Sequence, residues 1–410
     1  MAHALIVGGG IAGDTLALLL ERDGWEVTVA EIAPAPRTGG QTVDLRGDSR
    51  TVLEEAGLLE QALRCLIPQR GAAWIKADER RRATMPVEAF GGQGLVSDEE
   101  LLRTDLARII HEAAGAGVTH RFDETVEELD DVEDGVAVRF RSGTRQKFDL
   151  VVGADGTHSR VRALRFGPEA NFRTSLGLAH ALFTLTETPG TPPLDGWFLI
   201  HNAPGRRAIT ARPGHPGEQE IGFTFAADTL PHRHDREAQF ALLASTFAGV
   251  GWRAAEFLAA AKESNDFAMD TYDQVRVPAW RDGRVVLLGD SAWCASPLSG
   301  LGTALALRGA ADAAAAFRSA RVLDDLDRLP AAWDTFETAM RTKTDSAQQL
   351  PPGRVASMAP SSALGIRVNA WAMRAIQSRV MRPIVARALA SSEHRREPAD
   401  SPAAKVDSTR

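Results

Sequence analysis

A short apolar run, Ala4–Val7, breaks into Gly8, Gly9 and Gly10, passes Gly13 into the helix-spaced stretch TLALLLERDG, and returns as the strand-like WEVTVAE ending at Glu31. Glycines at G-x-G-x-x-G spacing between a strand and a helix have separate physical uses. Gly8 permits the tight turn, Gly10 lets a diphosphate approach the N–H groups of Gly10, Ile11 and Ala12 at the helix start, and Gly13 lets helix and strand pack closely. A carboxylate at the end of the second strand, Glu31, suits ribose hydroxyls better than a 2′-phosphate. The pattern predicts a βαβ dinucleotide-binding start, and by itself it does not separate NAD from FAD.

The chain has 410 residues, enough for one large core or two to three smaller ones. Hydrophobic residues make up 44% and charged residues 25%, an ordinary globular balance, and the net charge of -7 argues against a nucleic-acid-binding face. The two cysteines, Cys65 and Cys294, form neither a CxxC metal pattern nor a disulfide framework, which fits a reducing cytoplasm. No apolar run reaches the roughly 20 residues of a membrane span, and the apolar start lacks the basic region and cleavage site of a signal peptide. No metal, nucleic acid or membrane partner is expected.

Further along, TGGQTVDLRG around Thr38–Gly47 reads as a glycine-bounded loop followed by a helix. Ser97 and Glu100, three apart, read as a capping box that opens a helix with an apolar stripe at Leu102, Leu106, Ile109 and Ile110. Two hairpin strands follow, then a buried strand that ends in the glycine turn of VVGADG. The texture changes at about 175 to β-rich runs between Pro/Gly loops and changes back near 276. The expected organisation is therefore 1–174 and 276–350 as two parts of a nucleotide-binding domain, with 175–275 as an inserted β domain. A helical region at 351–392, interrupted by Pro383, and a tail at 393–410 too polar to fold alone complete it. No internal repeats are present.

Two later stretches, VVGADGTHSRVR (Val151–Arg162) and GRVVLLGDSAWCASPLSGLGTALAL (Gly283–Leu307), join the opening turn. In order and separation the three resemble the fingerprints of the group A flavin-dependent monooxygenases, the aromatic hydroxylases with the para-hydroxybenzoate hydroxylase fold, over essentially the whole chain. The resemblance implies an α/β fold: a Rossmann-like FAD-binding domain with an inserted antiparallel β-sheet substrate domain and a C-terminal helix. It implies FAD held at Gly8, Gly10, Ile11, Ala12, Gly13 and Glu31. On the residues themselves, Asp290 ends a strand where its carboxylate can accept a hydrogen bond from a ribityl hydroxyl, and Pro297 fixes the backbone. Gly300, Leu301 and Gly302 let the chain pass close to a flat ring. The helix beginning near Thr303 aims its N–H groups at negative charge on the flavin. By the same resemblance Asp155, with Arg160 as its ally, is tied to FAD and to the nicotinamide reductant, and Arg103 lies against FAD. The chain departs from the family pattern at Trp293, where a histidine is frequent, at Thr303, where many members have asparagine, and at Ile32, which replaces an arginine. Trp293 is expected to pack beneath the cofactor.

The family chemistry implied is reduction of FAD by NADPH or NADH, addition of O₂ at flavin C4a, and transfer of one oxygen atom from the hydroperoxide to a small molecule. GGQTVDLRG resembles the flavin-side loop of the tetracycline-inactivating branch, which makes Gln41, Asp44 and Arg46 candidates for the substrate edge, with Pro297 beside them. On the inserted domain His201, Arg212 and Phe223 are candidate substrate-wall residues, together with Trp197, His180 and Phe225. Phe223 and Phe225 share a strand face, a pattern that is more often core than pocket. Tyr272 is the sole tyrosine, so no tyrosine pair can deprotonate a phenol, and no general base is assigned. Hydroxylation of an aromatic or polycyclic, polyketide-like compound is the first expectation, with Baeyer–Villiger or epoxidising chemistry as the rival. A halogenase lacks its GWxWxIP segment here, and a non-catalytic FAD- and ligand-binding protein, monomer or homodimer like the enzyme, is the distant alternative.

Overall fold

The computed structural model describes residues 1–36, 39–92, 94–378 and 381. Pro383 and the polar tail at 393–410 lie outside the described residues. The apolar strand His3–Val7 has Ala4 to Val7 at 1% exposure or less, as a strand covered on both faces must. It lies inside a six-stranded sheet whose spatial order is Arg281–Asp282, Val285–Leu287, Leu150–Gly153, His3–Val7, Glu26–Glu31 and Val118–Phe122. Every pairing is parallel except that of the edge strand Arg281–Asp282. The first crossover, through the helix Ile11–Arg22, leads to Glu26–Glu31 on one side of His3–Val7, whereas Leu150–Gly153 pairs on the other. Such a reversal opens a crevice at the carboxyl ends of the strands. Gly8, Glu31, Asp155 and Asp290 all lie at or just beyond those ends.

The second sheet has seven strands, in the order Ala268–Val275, Arg173–Thr186, Glu218–Phe225, Arg207–Pro213, Trp197–Ala203, Gly71–Ile75 and Arg81–Pro86. Two of these strands come from 71–86, well ahead of the β-rich stretch, and Gly71–Ile75 pairs in parallel with Trp197–Ala203. The other pairings are antiparallel. Because side chains two residues apart share a face, Phe183, Phe223 and Phe225 point together into a core closed by the helices Arg236–Phe247 and Ala254–Glu263. Thr184, Arg212 and Glu220 take the opposite face, towards the first sheet.

The helix expected from Ser97 begins later. The Ser97 N–H does donate to Glu100 Oε1 at 2.9 Å, but Glu100–Leu102 pairs as a strand with Thr42–Asp44, and the helix runs Arg103–Ala114. Buried Glu100 also accepts from Thr42 Oγ1 at 3.1 Å and pairs with Arg212, so its carboxylate is held to strands and not to a helix start. The stripe Leu106, Ile109 and Ile110 is buried as the periodicity requires.

Arg162 links the two later motifs. Its guanidinium is fully buried and donates to Ser291 O at 2.8 Å and Thr157 O at 2.6 Å. The Ser291 hydroxyl in turn donates to Leu288 O at 2.7 Å, with Gly153 O also within reach at 2.5 Å. Each buried carbonyl left without its donor costs about 1 to 3 kcal/mol. Arg162→Ala should therefore lower unfolding free energy by about 3 kcal/mol or more. Arg160→Ala, two residues away at an exposed position, should stay within about 0.5 kcal/mol. Urea denaturation of the two variants checks the contrast.

Candidate active site

One continuous cleft of about 4090 Å³ runs between the sheets, several times the volume that encloses a drug-sized ligand. Its walls are the Gly8–Ala12 turn, the Gly39–Asp44 loop, the Asp155–Thr157 turn, the Pro297–Ala306 segment and the outward face of the seven-stranded sheet. A Cβ on Gly13 would stand 2.0 Å from Gly8 O, so this position holds the helix against its strand, while a Cβ on Gly10 would meet nothing within 4 Å and faces open cleft. The helix Ile11–Arg22 has no side-chain cap, and its first N–H groups are directed to that space. The helix Gly302–Ser319 is likewise uncapped by a side chain, beside Gly300 at φ 69°. Two helix ends rich in positive partial charge thus border one cleft. The open cradle at Gly10 and these two ends fit the diphosphate and the flavin edge of FAD.

The acidic residues divide into holders and facers. Glu31 accepts from Gly9 N–H at 2.8 Å and from Ala33 N–H at 2.9 Å, fixing the turn while its carboxylate borders the cleft. Asp155 accepts from the N–H groups of Arg160 at 2.6 Å and Val161 at 3.1 Å and from the Ser159 hydroxyl, so it caps the helix Arg160–Arg165. Its surroundings push the carboxyl up, against those hydrogen bonds. Asp290 opens to the cleft, and the protein around it pushes its carboxyl up, opposed by the charge of Arg103 and the thiol of Cys294. Arg103 is the first residue of its helix, and its backbone N–H donates to Gln41 O at 2.9 Å. Pro297, Leu301 and Thr303 border the same space.

A polar row crosses the cleft face of the second sheet. Thr184, Glu220 and Arg212 are direct cross-strand neighbours, and Arg212 pairs with Glu100, which meets Thr42 of the Gly39–Asp44 loop. Thr184 Oγ1 stands 3.0 Å from Glu220 Oε1 and 2.5 Å from Asp266 Oδ2. A hydroxyl has one proton to donate, so this contact favours one neutral carboxyl. Burial and the nearby charges of Asp266 and Glu218 push Glu220 up to about 7. Asp44 and Arg46 also border the cleft, and they pair with each other.

Residues 1–323 match the family described as FAD binding domain. The chain is 32% identical over 315 residues to the FAD-dependent monooxygenase asL4 of Sarocladium schorii, covering 75% of this chain and 73% of that one. The chain belongs to the FAD-dependent monooxygenase family. It is also 38% identical over 314 residues to the uncharacterized protein Rv1260 of Mycobacterium tuberculosis, covering 76% and 83% of the two chains. Among solved structures, the tetracycline destructase Tet(51) is similar at a TM-score of 0.77 and 25% identity, over 93% of this chain and 98% of that one.

Against this flavoprotein fold, several expected positions move. Phe223 is fully buried in the helix-covered core, stacked with Phe183 at 6.4 Å, and does not face the cleft. His201 is buried on the same side, its ring nitrogens near Ile75 O and Val250 O, and burial lowers its pKa. The alternation of the strand puts its neighbours Phe198 and Ile200 in the cleft wall. Trp293 packs on Trp280 with centroids 4.3 Å apart and against Gly309, within the core and not under the cleft. Arg160 borders the cleft, whereas the buried cation of that motif is Arg162. Glu220 and Asp266 carry no local sequence motif; their signal is the shared face of Glu220 and Arg212 on paired strands.

The raised Glu220 value has a direct consequence for stability. The fold binds this proton more tightly than the unfolded chain, so stability is lost as pH rises from about 4.5 through about 7. A shift of that size corresponds to about 3 kcal/mol at most. Glu220→Gln should gain stability relative to the parent by up to that amount at pH 8 and by nothing below pH 4, read from urea midpoints across pH.

Proposed function

We propose that this protein is an NAD(P)H-consuming monooxygenase that places one oxygen atom from O₂ on an aromatic or polycyclic, polyketide-like small molecule. The observation that carries the reading is the pairing, in one cleft, of two open helix N-termini with a facing polar row built around Glu220. When bound, FAD would take a hydride from NAD(P)H and supply the O₂ chemistry. The N–H groups of Gly10, Ile11 and Ala12 would hold the diphosphate and Glu31 the ribose. Asp290 would bind the ribityl chain, and the helix starting at Gly302 would favour negative charge on the ring edge. Exposed Arg160 at the cleft mouth would meet the reductant's phosphates.

Glu220 would act as the proton acceptor that an aromatic hydroxylation needs. The substrate's acidic O–H bond breaks, an O–H bond forms on Glu220, and the electron pair left on the substrate oxygen enriches the ring carbon that takes the oxygen atom. Arg212, beside Glu220, would orient the resulting oxyanion. An enol or phenol within a fused-ring compound has both the acidity and the size for this wall. The tetracycline-like resemblance of the Gly39–Asp44 loop supports the same class.

NADPH oxidation by the FAD-loaded protein under air should rise severalfold with a tetracycline-type polycyclic compound or a simple phenol, and the product should gain one oxygen atom by mass. FAD binding without NADPH or NADH consumption across such a panel would overturn the reading. Asp290→Ala should weaken FAD binding by about tenfold or more, measured by flavin release on dilution. Full flavin retention in that variant would remove Asp290 from the cofactor site.

A further inference from the structure

Beside the dinucleotide turn, three elements bring metal-ligating atoms together outside the residues assigned above. Asp14 stands in the first turn of the helix Ile11–Arg22, His111 in the last turn of Arg103–Ala114, and His120 in the strand Val118–Phe122. Asp14 Oδ2 lies 3.5 Å from His111 Nδ1, and Asp14 Oδ1 lies 3.3 Å from His120 Nε2. One donor atom from each residue falls within 4.8 Å of the other two. The two imidazoles meet edge to face, 4.2 Å between centroids.

The two carboxylate–imidazole separations, one to each Asp14 oxygen, are close to the edge of a coordination tetrahedron. With ligands about 2.0–2.1 Å from a zinc-sized ion, neighbouring donors in a tetrahedral shell stand roughly 3.4 Å apart. Two imidazoles and one carboxylate form a donor set that suits Zn²⁺, Co²⁺ or Ni²⁺ and not Mg²⁺ or Ca²⁺, which prefer all-oxygen shells. Asp14 is 2% exposed, so its negative charge is already withdrawn from bulk water. All three residues border the cleft, which provides an entry path. Phe122 packs against both rings and limits their freedom.

We propose that Asp14, His111 and His120 form a binding site for one divalent transition-metal ion, tetrahedral with water as fourth ligand. The ion would tie the first helix to its neighbouring helix and strand at the adenosine side of the cleft. Asp14 Oδ1 and Glu31 Oε2 each lie 3.6 Å from where a Cβ on Gly9 would stand, so the site adjoins the turn without sharing its hydrogen bonds. The proposal does not depend on the oxygenation chemistry, because it concerns only this corner of the fold.

Co²⁺ titrated into the purified, flavin-loaded protein tests it. The expected result is one ion per chain, with strong tetrahedral d–d absorption to the red of the flavin bands and displacement by one equivalent of Zn²⁺. His111→Ala and His120→Ala should each weaken Co²⁺ binding at least tenfold, with flavin content and circular dichroism unchanged. Asp14→Asn should do the same where it folds; the partly exposed His111 supplies the variant least able to disturb the core. Wild-type protein giving only a weak octahedral Co²⁺ spectrum would reduce the cluster to an ion pair between a buried carboxylate and two imidazoles. A tetrahedral signal that persists in His111→Ala/His120→Ala would place the ion on other histidines, such as His232 and His234, and would equally overturn the proposal.

Discussion

The approach of Gly13 to Gly8 O fixes where everything else in the cleft can stand. With no room for a Cβ between them, the first helix starts directly off the end of His3–Val7, and its N–H groups emerge at the carboxyl edge of the sheet. Parallel pairing then brings the ends of Glu26–Glu31, Leu150–Gly153 and Val285–Leu287 to the same edge. Three motifs separated by more than a hundred residues in sequence become one rim because their strands are adjacent and point the same way. A larger residue at Gly13 would displace the helix, and with it the N–H groups that face the cleft.

Within that rim, the residues that hold the structure differ from those that face a ligand. Arg162 donates to the Ser291 and Thr157 carbonyls and the Ser291 hydroxyl to Leu288 O, contacts that lock the second motif to the third. Asp155 spends its oxygens on the start of a short helix. Gly10, Gly300 and Asp290 border the cleft, Asp290 with Arg103 and Cys294 as its neighbours. A motif therefore mixes two kinds of constraint, a buried cation that holds the geometry and an exposed carboxylate that faces the cleft. This is why Arg160 and Arg162, two residues apart in one fingerprint, have opposite surroundings.

Much of the first sheet was legible because its signals are local. Glycine spacing, apolar strands and an acid at a strand end are short-range patterns with few alternative readings. The positions that moved depend on pairing. Ser97 and Glu100 satisfy the capping pattern, yet Glu100 sits in a strand because Thr42 and Arg212, each distant in sequence, compete for its carboxylate. Strand membership alone makes His201 and Phe223 candidates for the substrate wall, and the alternation that decides their face is fixed only by which side the two covering helices take. The strands Gly71–Ile75 and Arg81–Pro86 join the second sheet through a parallel pairing that nothing local announces. Trp293 follows the same logic, since its burial depends on Gly309 in a later helix.

The polar row shows how the second sheet answers a demand that the composition left open. The only tyrosine, Tyr272, is buried with its hydroxyl 3.3 Å from Thr224 Oγ1, so it is not free to manage a substrate proton. Glu220 is instead pushed up to about 7 by burial and by the charges of Asp266 and Glu218, with the Thr184 hydroxyl in hydrogen-bond reach. Arg212 then links this residue to Glu100, and Glu100 to the Thr42 end of the loop that lines the opposite side of the cleft. A proton gained or lost on Glu220 changes the balance of charge felt by Arg212, and therefore the hold of Arg212 on Glu100. On the proposed function, ionisation of the substrate and the position of the flavin-side loop are coupled through three side chains, without any movement of the sheet itself.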